Sequence, residues 1–264
     1  MNDGANPMRA AQANMRAPEI TRFYKTAEAR EADGIHALAL DGRPARTPGR
    51  NRLAAADPAL MERVAEEWRR QGETVNLSDM PLTRLLNAAI DGVACKMEET
   101  RAAIAAYAGS DLLCYRADEP ESLADRQREA FDPALEWAAE TLGARFNVAA
   151  GIMPVAQPPQ TLAAVRAALD KVDDPAALAG LSVMTSLTGS ALLALAVADG
   201  AMTPEEAWRA AHVDEDFQAE RWGVDAEALV RRKARWREME AAAAAVWAGR
   251  RTLKRIGGKD RGQA

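Results

Sequence analysis

Histidine occurs only twice in these 264 residues, at His36 and His212, and cysteine only twice, at Cys95 and Cys114. A zinc centre needs four convergent ligands, and two histidines without a Cys or carboxylate set at ligand spacing do not provide one. The cysteines form no C-x-x-C pair, and a secreted domain of this size would not depend on a single disulfide. A reducing compartment follows, with each thiol read as a small buried apolar side chain. Lysine is also scarce, at six of 34 basic residues, and the net charge is -5 with a pI of about 5.3. That balance argues against a general nucleic-acid binder, which carries a basic face and a basic pI. Its one basic stretch lies after Gly249 (Arg250, Arg251, Lys254, Arg255, Lys259, Arg261) and reads as a flexible tail over 250–264.

Signals for export and membrane insertion are missing too. The first residues contain no apolar core with a small-residue cleavage site, and 1–19 read as a flexible arm. The longest uncharged run, Leu181 to Ala198, is interrupted by Ser182, Thr185, Ser186, Thr188, Gly189 and Ser190 and lacks basic anchors. It reads as the buried centre of a helical domain, with no membrane insertion. Catalytic signatures are equally thin. Gly257–Gly258–Lys259 has the closing residues of a phosphate loop, but Leu253 stands where its first glycine belongs. No G-x-S-x-G elbow exists. Paired acids such as Asp111 with Asp132, or Glu215 with Glu220, leave open a small-molecule enzyme using helix carboxylates. No convergent set of polar groups supports it, and no cofactor is implied.

What is present is a change of periodicity near residue 56. From Thr21 to Leu53 the chain reads as β: an aromatic strand at Arg22–Phe23–Tyr24–Lys25–Thr26, then Asp33–Gly34 and Asp41–Gly42 flanking Ile35 to Leu40. Asp-Gly supplies the positive φ that tight hairpins need, so these pairs predict a meander. A sheet this small must pack on something else. From Asp57 onward helical signals dominate. Asp57–Pro58 and Asp174–Pro175 are caps followed by proline at the first helical position. Leu60, Val64 and Trp68 share one face. A longer helix is predicted from Pro81, running on towards Ile104 and Tyr107, and another is predicted to open at Asp132–Pro133 and stop at Gly143. A strand is expected within Arg145 to Ala149. Thr203 and Glu206 form a capping box, predicting one helix to about Trp222 with Gly223 as terminator. The last helix, from about Asp225, carries Leu229, Trp236 and Ala243 at sevenfold spacing, shadowed by Arg232, Met239 and Val246. That stripe docks on a partner helix. The expected class is α+β, with a small N-terminal antiparallel β domain over 20–56 followed by a larger all-helical domain over 57–249.

Several strings, taken in order, carry a family resemblance. They are Arg22–Phe23–Tyr24–Lys25, Leu40–Asp41–Gly42–Arg43–Pro44, Glu66–Glu67–Trp68 and Met80–Pro81–Leu82–Thr83–Arg84–Leu85. Asp111–Leu112–Leu113–Cys114–Tyr115–Arg116–Ala117 is the most distinctive. Asp132–Pro133, Trp137, Gln157–Pro158, Asp214–Glu215, Phe217–Gln218 and Glu220–Arg221–Trp222–Gly223 complete the order. Together they span about residues 21 to 223, and the chain resembles the assembly chaperones that bind the alpha subunit of F-type ATP synthase. Phe131 departs from the pattern, standing where tryptophan is expected.

The resemblance implies an ATP-independent, non-enzymatic chaperone that holds the newly made alpha subunit and shields its beta-facing surface until the catalytic hexamer forms. A monomer in the bacterial cytoplasm, or in the mitochondrial matrix of a eukaryote, is expected. The partner-binding residues it points to are Glu215, Phe217, Gln218, Glu220 and Trp222, with Asp111, Tyr115 and Arg116. A helix from Thr203 places Glu215 and Gln218 on neighbouring turns, with Trp222 one turn further. Glu215 or Glu220 would pair with a basic group on the client. A purely structural reading stands beside this: solvated acids, Phe217 and Trp222 in the core, Asp111 as a helix cap and Arg116 paired with an acid.

Overall fold

The computed structural model describes residues 20–249 apart from 33 and 152. The proposed arm at 1–19 and basic tail at 250–264 lie outside the described residues. The β part centres on a hairpin of β2 (Ala27–Ala32) and β3 (Ile35–Leu40), in register from Ala27 opposite Leu40 to Ala32 opposite Ile35. The next turn, with Asp41 at φ 48° and Gly42 at φ 77°, returns the chain into β4 (Arg43–Pro44). Positive φ at both central residues matches the right-handed twist of the flanking strands. β5 (Ala54–Ala55) pairs with the other end of β3, and β1 (Ile20–Thr21) pairs with β6 (Thr74–Val75). The aromatic segment 22–26 is therefore not the strand its composition suggests. Arg22 N–H reaches Glu73 O at 2.8 Å, and the hairpin begins only at Ala27.

One face of this hairpin is covered by α1 (Pro58–Arg69), whose Leu60, Met61 and Val64 join Leu38 and Leu40 in the core. Asp57 caps the helix by accepting the Leu60 amide at 2.9 Å, with Pro58 at its first position. The sheet thus obtains the packing partner that its few apolar residues demand.

The predicted helix from Pro81 divides into α2 (Pro81–Asp91) and α3 (Met97–Ala108), with a 3-10 turn over Val93–Cys95 between them. Asp91 explains the stop. Its carboxylate accepts from Thr47 Oγ1 at 2.6 Å, Gly49 N at 2.7 Å and Asn51 Nδ2 at 2.8 Å, tying the helix end to the loop after β4. Cys95 in that turn is exposed rather than buried, whereas Cys114 is buried.

The helix expected to open at Asp132 begins earlier: α4 runs Glu121–Trp137 with Pro133 inside it, followed by a π turn over Ala138–Leu142 that ends at Gly143. Asp132 is not a cap because Arg116 takes its carboxylate at 2.6 Å. The strand sought near 145–149 is only β8 (Ala149–Ala150), parallel to β7 (Tyr115–Arg116).

The uncharged run becomes the end of α6 (Pro175–Thr188) and all but the last residue of α7 (Ala191–Asp199), broken at Gly189 with φ 69°. Every α7 residue from Ala191 to Ala198 is buried, so this short helix has no polar face to show to water. Among the described residues no helix is long and apolar enough to cross a membrane. Around this centre pack α3, α4, α5 (Pro159–Leu169), α6, α8 (Pro204–Ala211) and the C-terminal half of α10 (Ala226–Ala248). Small antiparallel sheets followed by a mostly helical body make the class α+β, as expected.

Candidate interaction surface

The predicted helix from Thr203 to Trp222 is two helices. Thr203 and Glu206 form the capping box, but α8 ends at Ala211 and α9 (Val213–Trp222) starts anew after His212. His212 makes the break. Its ring is buried, lies 4.0 Å from Trp208, and its Nδ1 is 2.7 Å from the Trp208 carbonyl. An uninterrupted α-helix would give that carbonyl to the His212 amide. Here the amide turns to Arg209 O instead, at 3.2 Å. Burial holds the imidazole below its usual pKa, so it is neutral at pH 7.

Beyond His212 the chain leaves the body. Phe217 is the last anchor: buried, with Arg126 and Arg221 against its ring at 5.2 and 4.1 Å. From Gln218 to Glu238 no residue is buried. The end of α9, the Gly223 turn and the first half of α10 form an elbow with apolar side chains in solvent: Trp222 at 81% exposure, Val224, Leu229 and Val230. The sevenfold stripe of α10 docks only in its later turns. Met239, Ala243 and Val246 are buried, whereas Leu229 is 53% exposed.

A groove of 450 Å³ runs along the elbow, with Glu215, Gln218, Trp222, Val224 and Leu229 in its walls. Three arginines line it as well. Arg232 grips the Asp216 carboxylate with two nitrogens, Arg231 pairs with Glu227 at 3.3 Å, and Arg235 donates to Leu187 O at 2.9 Å. Glu215 makes no hydrogen bond or ion pair among the described residues, though its charge acts on His212 and Arg232 nearby. Glu220, by contrast, pairs with Arg126 at 2.8 Å. Of the two acids raised from sequence, Glu215 is the one without an ion pair among the described residues.

The other predicted cluster is built into the fold. Asp111 has no exposed surface. Its carboxylate accepts the amides of Leu113 and Leu192, each at 3.2 Å, joining the 3-10 turn Leu112–Cys114 to the start of α7. Burial pushes its pKa up to about 6, against hydrogen bonds that pull it down. Burial, with that carboxylate nearby, pushes the Cys114 thiol up to about 12, which makes it inert as a nucleophile. Arg116 donates to Gln127 O and Asp132, both at 2.6 Å, and lies 4.8 Å from the Phe131 ring. Tyr115 is half-buried in β7. The structure therefore brings Glu215, Gln218 and Trp222 together and keeps Asp111 and Arg116 apart from them as internal links.

Shape comparison decides the family. The chain superposes on the crystal structure of Atp12 from Paracoccus denitrificans with a TM-score of 0.79 and 38% identity, covering 87% of this chain and 98% of that one. The chain belongs to the ATP12 chaperone family. Residues 21–139 also match the family described as ATP12 chaperone protein. A crystal structure of the Atu1473 protein of Agrobacterium tumefaciens gives a TM-score of 0.83 at 45% identity, covering 93% of this chain and 92% of that one. Mitochondrial protein atp12 of Schizosaccharomyces pombe is 25% identical over 218 residues, covering 78% of this chain and 75% of its own length.

The elbow is only partly legible in the sequence of this ATP12 chaperone. Glu215, Gln218 and Trp222 stand out in the sequence, Val224 and Val230 do not, and sevenfold spacing assigns Leu229 to helix docking. The signal was there. Gly223 and Asp225 mark a tight reversal, and apolar residues on both sides of a reversal have no assured neighbour.

A reading built on helix carboxylates as catalysts needs an acid with shifted titration in an open cleft. Glu67 comes nearest: it lines a 650 Å³ cleft with Arg63, Glu66 and Arg70, and burial raises its pKa. Its oxygens are already taken, however, by the Leu82 and Thr83 amides and Thr83 Oγ1, all at 2.8 Å. It caps α2.

Proposed function

We propose that this ATP12 chaperone is an ATP-independent assembly factor that binds the unassembled alpha subunit of F-type ATP synthase. As a monomer it covers the surface of that subunit destined for the beta subunit, and leaves when the catalytic hexamer forms. One observation carries the reading: a run from Gln218 to Glu238 with no buried residue, holding exposed Trp222, Val224, Leu229 and Val230 beside the unpaired Glu215. An exposed apolar patch of this kind marks a docking site. Aromatic anchors surrounded by polar groups supply most of the binding energy at such sites. The client's complementary feature is an apolar strip with a basic side chain, which reaches Glu215 while Trp222 enters the strip.

A subunit awaiting its partners exposes interface that would otherwise aggregate. A stoichiometric binder reduces the free, aggregating population by mass action and needs no nucleotide. The test is light scattering of isolated alpha subunit diluted from denaturant. Equimolar protein should suppress the scattering without ATP, and a chain carrying both Glu215→Lys and Trp222→Ala should not. Equal suppression by that variant would remove the elbow from the mechanism.

A further inference from the structure

A second groove lies on the β part, between the segment 22–26 and the β3–β4 turn. It has a volume of 640 Å³ and is lined by Phe23, Tyr24, Trp68, Pro44, Arg43 and Arg46, with Leu40 and Ala45 at its floor. Its aromatic wall is held rigidly. Tyr24 Oη donates to Trp68 O at 2.6 Å, and Trp68 Nε1 donates to Thr83 Oγ1 at 3.1 Å. Phe23 packs edge-on against both rings, with centroids at 5.4 and 6.5 Å, yet is 66% exposed. A large ring held in place in solvent loses little conformational freedom when a partner covers it.

The charges lining this ring are two arginines and one aspartate, a net positive set. Arg43 is exposed, and its guanidinium has no hydrogen bond or ion pair among the described residues. Arg46 spends only one nitrogen, on Arg50 O at 2.7 Å. The single acid of the lining, Asp41, is turned to the backbone. Its Oδ1 accepts the amides of Lys25 and Thr26 at 2.9 and 2.8 Å, and these bonds hold its carboxyl below the usual range. A cationic aromatic groove on a chain of net charge -5 is a local inversion of the overall field.

The geometry points to this groove as a binding surface for an acidic segment of a partner polypeptide, one bulky apolar side chain packing on Phe23 and Pro44 while flanking carboxylates meet Arg43 and Arg46. Arginine forks suit carboxylates geometrically, and aromatic and arginine side chains are the types that dominate interface energetics. This surface shares no residue with the α9–α10 elbow, so it does not rest on the reading given to that elbow.

The experiment uses the full chain and a fluorescein-labelled hexapeptide in which one phenylalanine is flanked by glutamates. Saturable anisotropy is expected, weakening as salt is added. Arg43→Glu with Arg46→Glu, and separately Phe23→Ala, should each weaken binding at least about tenfold. These side chains are exposed, and an unchanged far-UV spectrum keeps each result interpretable; Arg43→Glu alone serves if the double variant is perturbed. A peptide with lysines for the glutamates should not bind. The chain carrying Glu215→Lys and Trp222→Ala should bind the acidic peptide as the wild type does. Absence of saturable binding, equal binding of the lysine peptide, indifference to the Arg43 and Arg46 changes, or loss of binding in the elbow variant would each overturn the assignment.

Discussion

Asp111 and Leu192 are 81 positions apart, yet the Asp111 carboxylate accepts the Leu192 amide at 3.2 Å while its other oxygen holds the Leu113 amide. One buried acid thereby satisfies two helix starts, the 3-10 turn of its own segment and α7, buried from Ala191 to Ala198. Amides at helix starts have no partner within the helix, and a buried one left unmet costs about 1–3 kcal/mol. The string around Asp111 that carries the family resemblance is, in three dimensions, a joint of the core.

Asp111 should also set a pH dependence. Its folded pKa is raised from 3.8 to about 6, so the folded state holds the proton more tightly than the unfolded chain. The stability this gives is full below the unfolded value and is lost as pH rises through the folded one. Over the whole transition the loss amounts to about 3 kcal/mol, of which about 2 kcal/mol falls between pH 4 and 6. In Asp111→Asn that component should vanish from urea midpoints measured across this range. The variant should also be less stable at pH 7, by about 1–3 kcal/mol, because the new amide group cannot accept both backbone N–H groups.

Glu67 should behave as a cap. Glu67→Ala leaves the Leu82 and Thr83 amides at the start of α2 unmet and frees the Thr83 hydroxyl that also receives Trp68 Nε1. A loss of about 2–3 kcal/mol by urea unfolding is expected, with Glu67→Gln in between.

Gly180 marks the closest approach of α6 and α10. A Cβ there would lie 2.6 Å from Ala242 O and 2.8 Å from Val246 Cγ2. Gly180→Ala would normally favour a helix, yet here it should lower stability by about 1–3 kcal/mol, because two helices must move apart. Thermal unfolding would show it.

At the elbow, binding and stability should separate. Trp222→Ala removes a side chain that is 81% exposed and should leave the unfolding midpoint unchanged within about 0.5 kcal/mol. Alpha-subunit capture should fall at least about tenfold. Phe217→Ala should do the reverse first, costing about 3–5 kcal/mol of stability by emptying a buried site. Glu215→Lys should reduce capture more than Glu220→Lys, since Glu220 already pairs with Arg126. Pull-down with purified alpha subunit would rank the four.

The hairpin and several caps were legible because their signals are local. Asp41–Gly42, Asp57–Pro58, Asp174–Pro175 and the Thr203–Glu206 box each act within four residues, and each stands where the sequence places it. Two of the misread helix boundaries involve a polar side chain recruited from a distance, and a third a buried ring. Asp91 is drawn to Thr47 and Asn51, and Asp132 to Arg116. His212 takes the carbonyl of its own preceding turn once its ring is buried against Trp208. A cap and a long-range partner look identical in a sequence, because the same carboxylate chemistry serves both.

Sequence alone determined the element types, the division between β and helical parts, the uncharged centre and, through ordered strings, the family resemblance. These depend on periodicity and turn chemistry, which act between near neighbours. Tertiary structure decided which side chains are spent inward and which stay at the surface: Asp111 and Arg116 inside, Glu220 paired with Arg126, Glu215 without a hydrogen bond among the described residues and Trp222 exposed. The reason is physical: exposure is a property of what packs against a residue, and no residue carries its distant neighbours in its own sequence window.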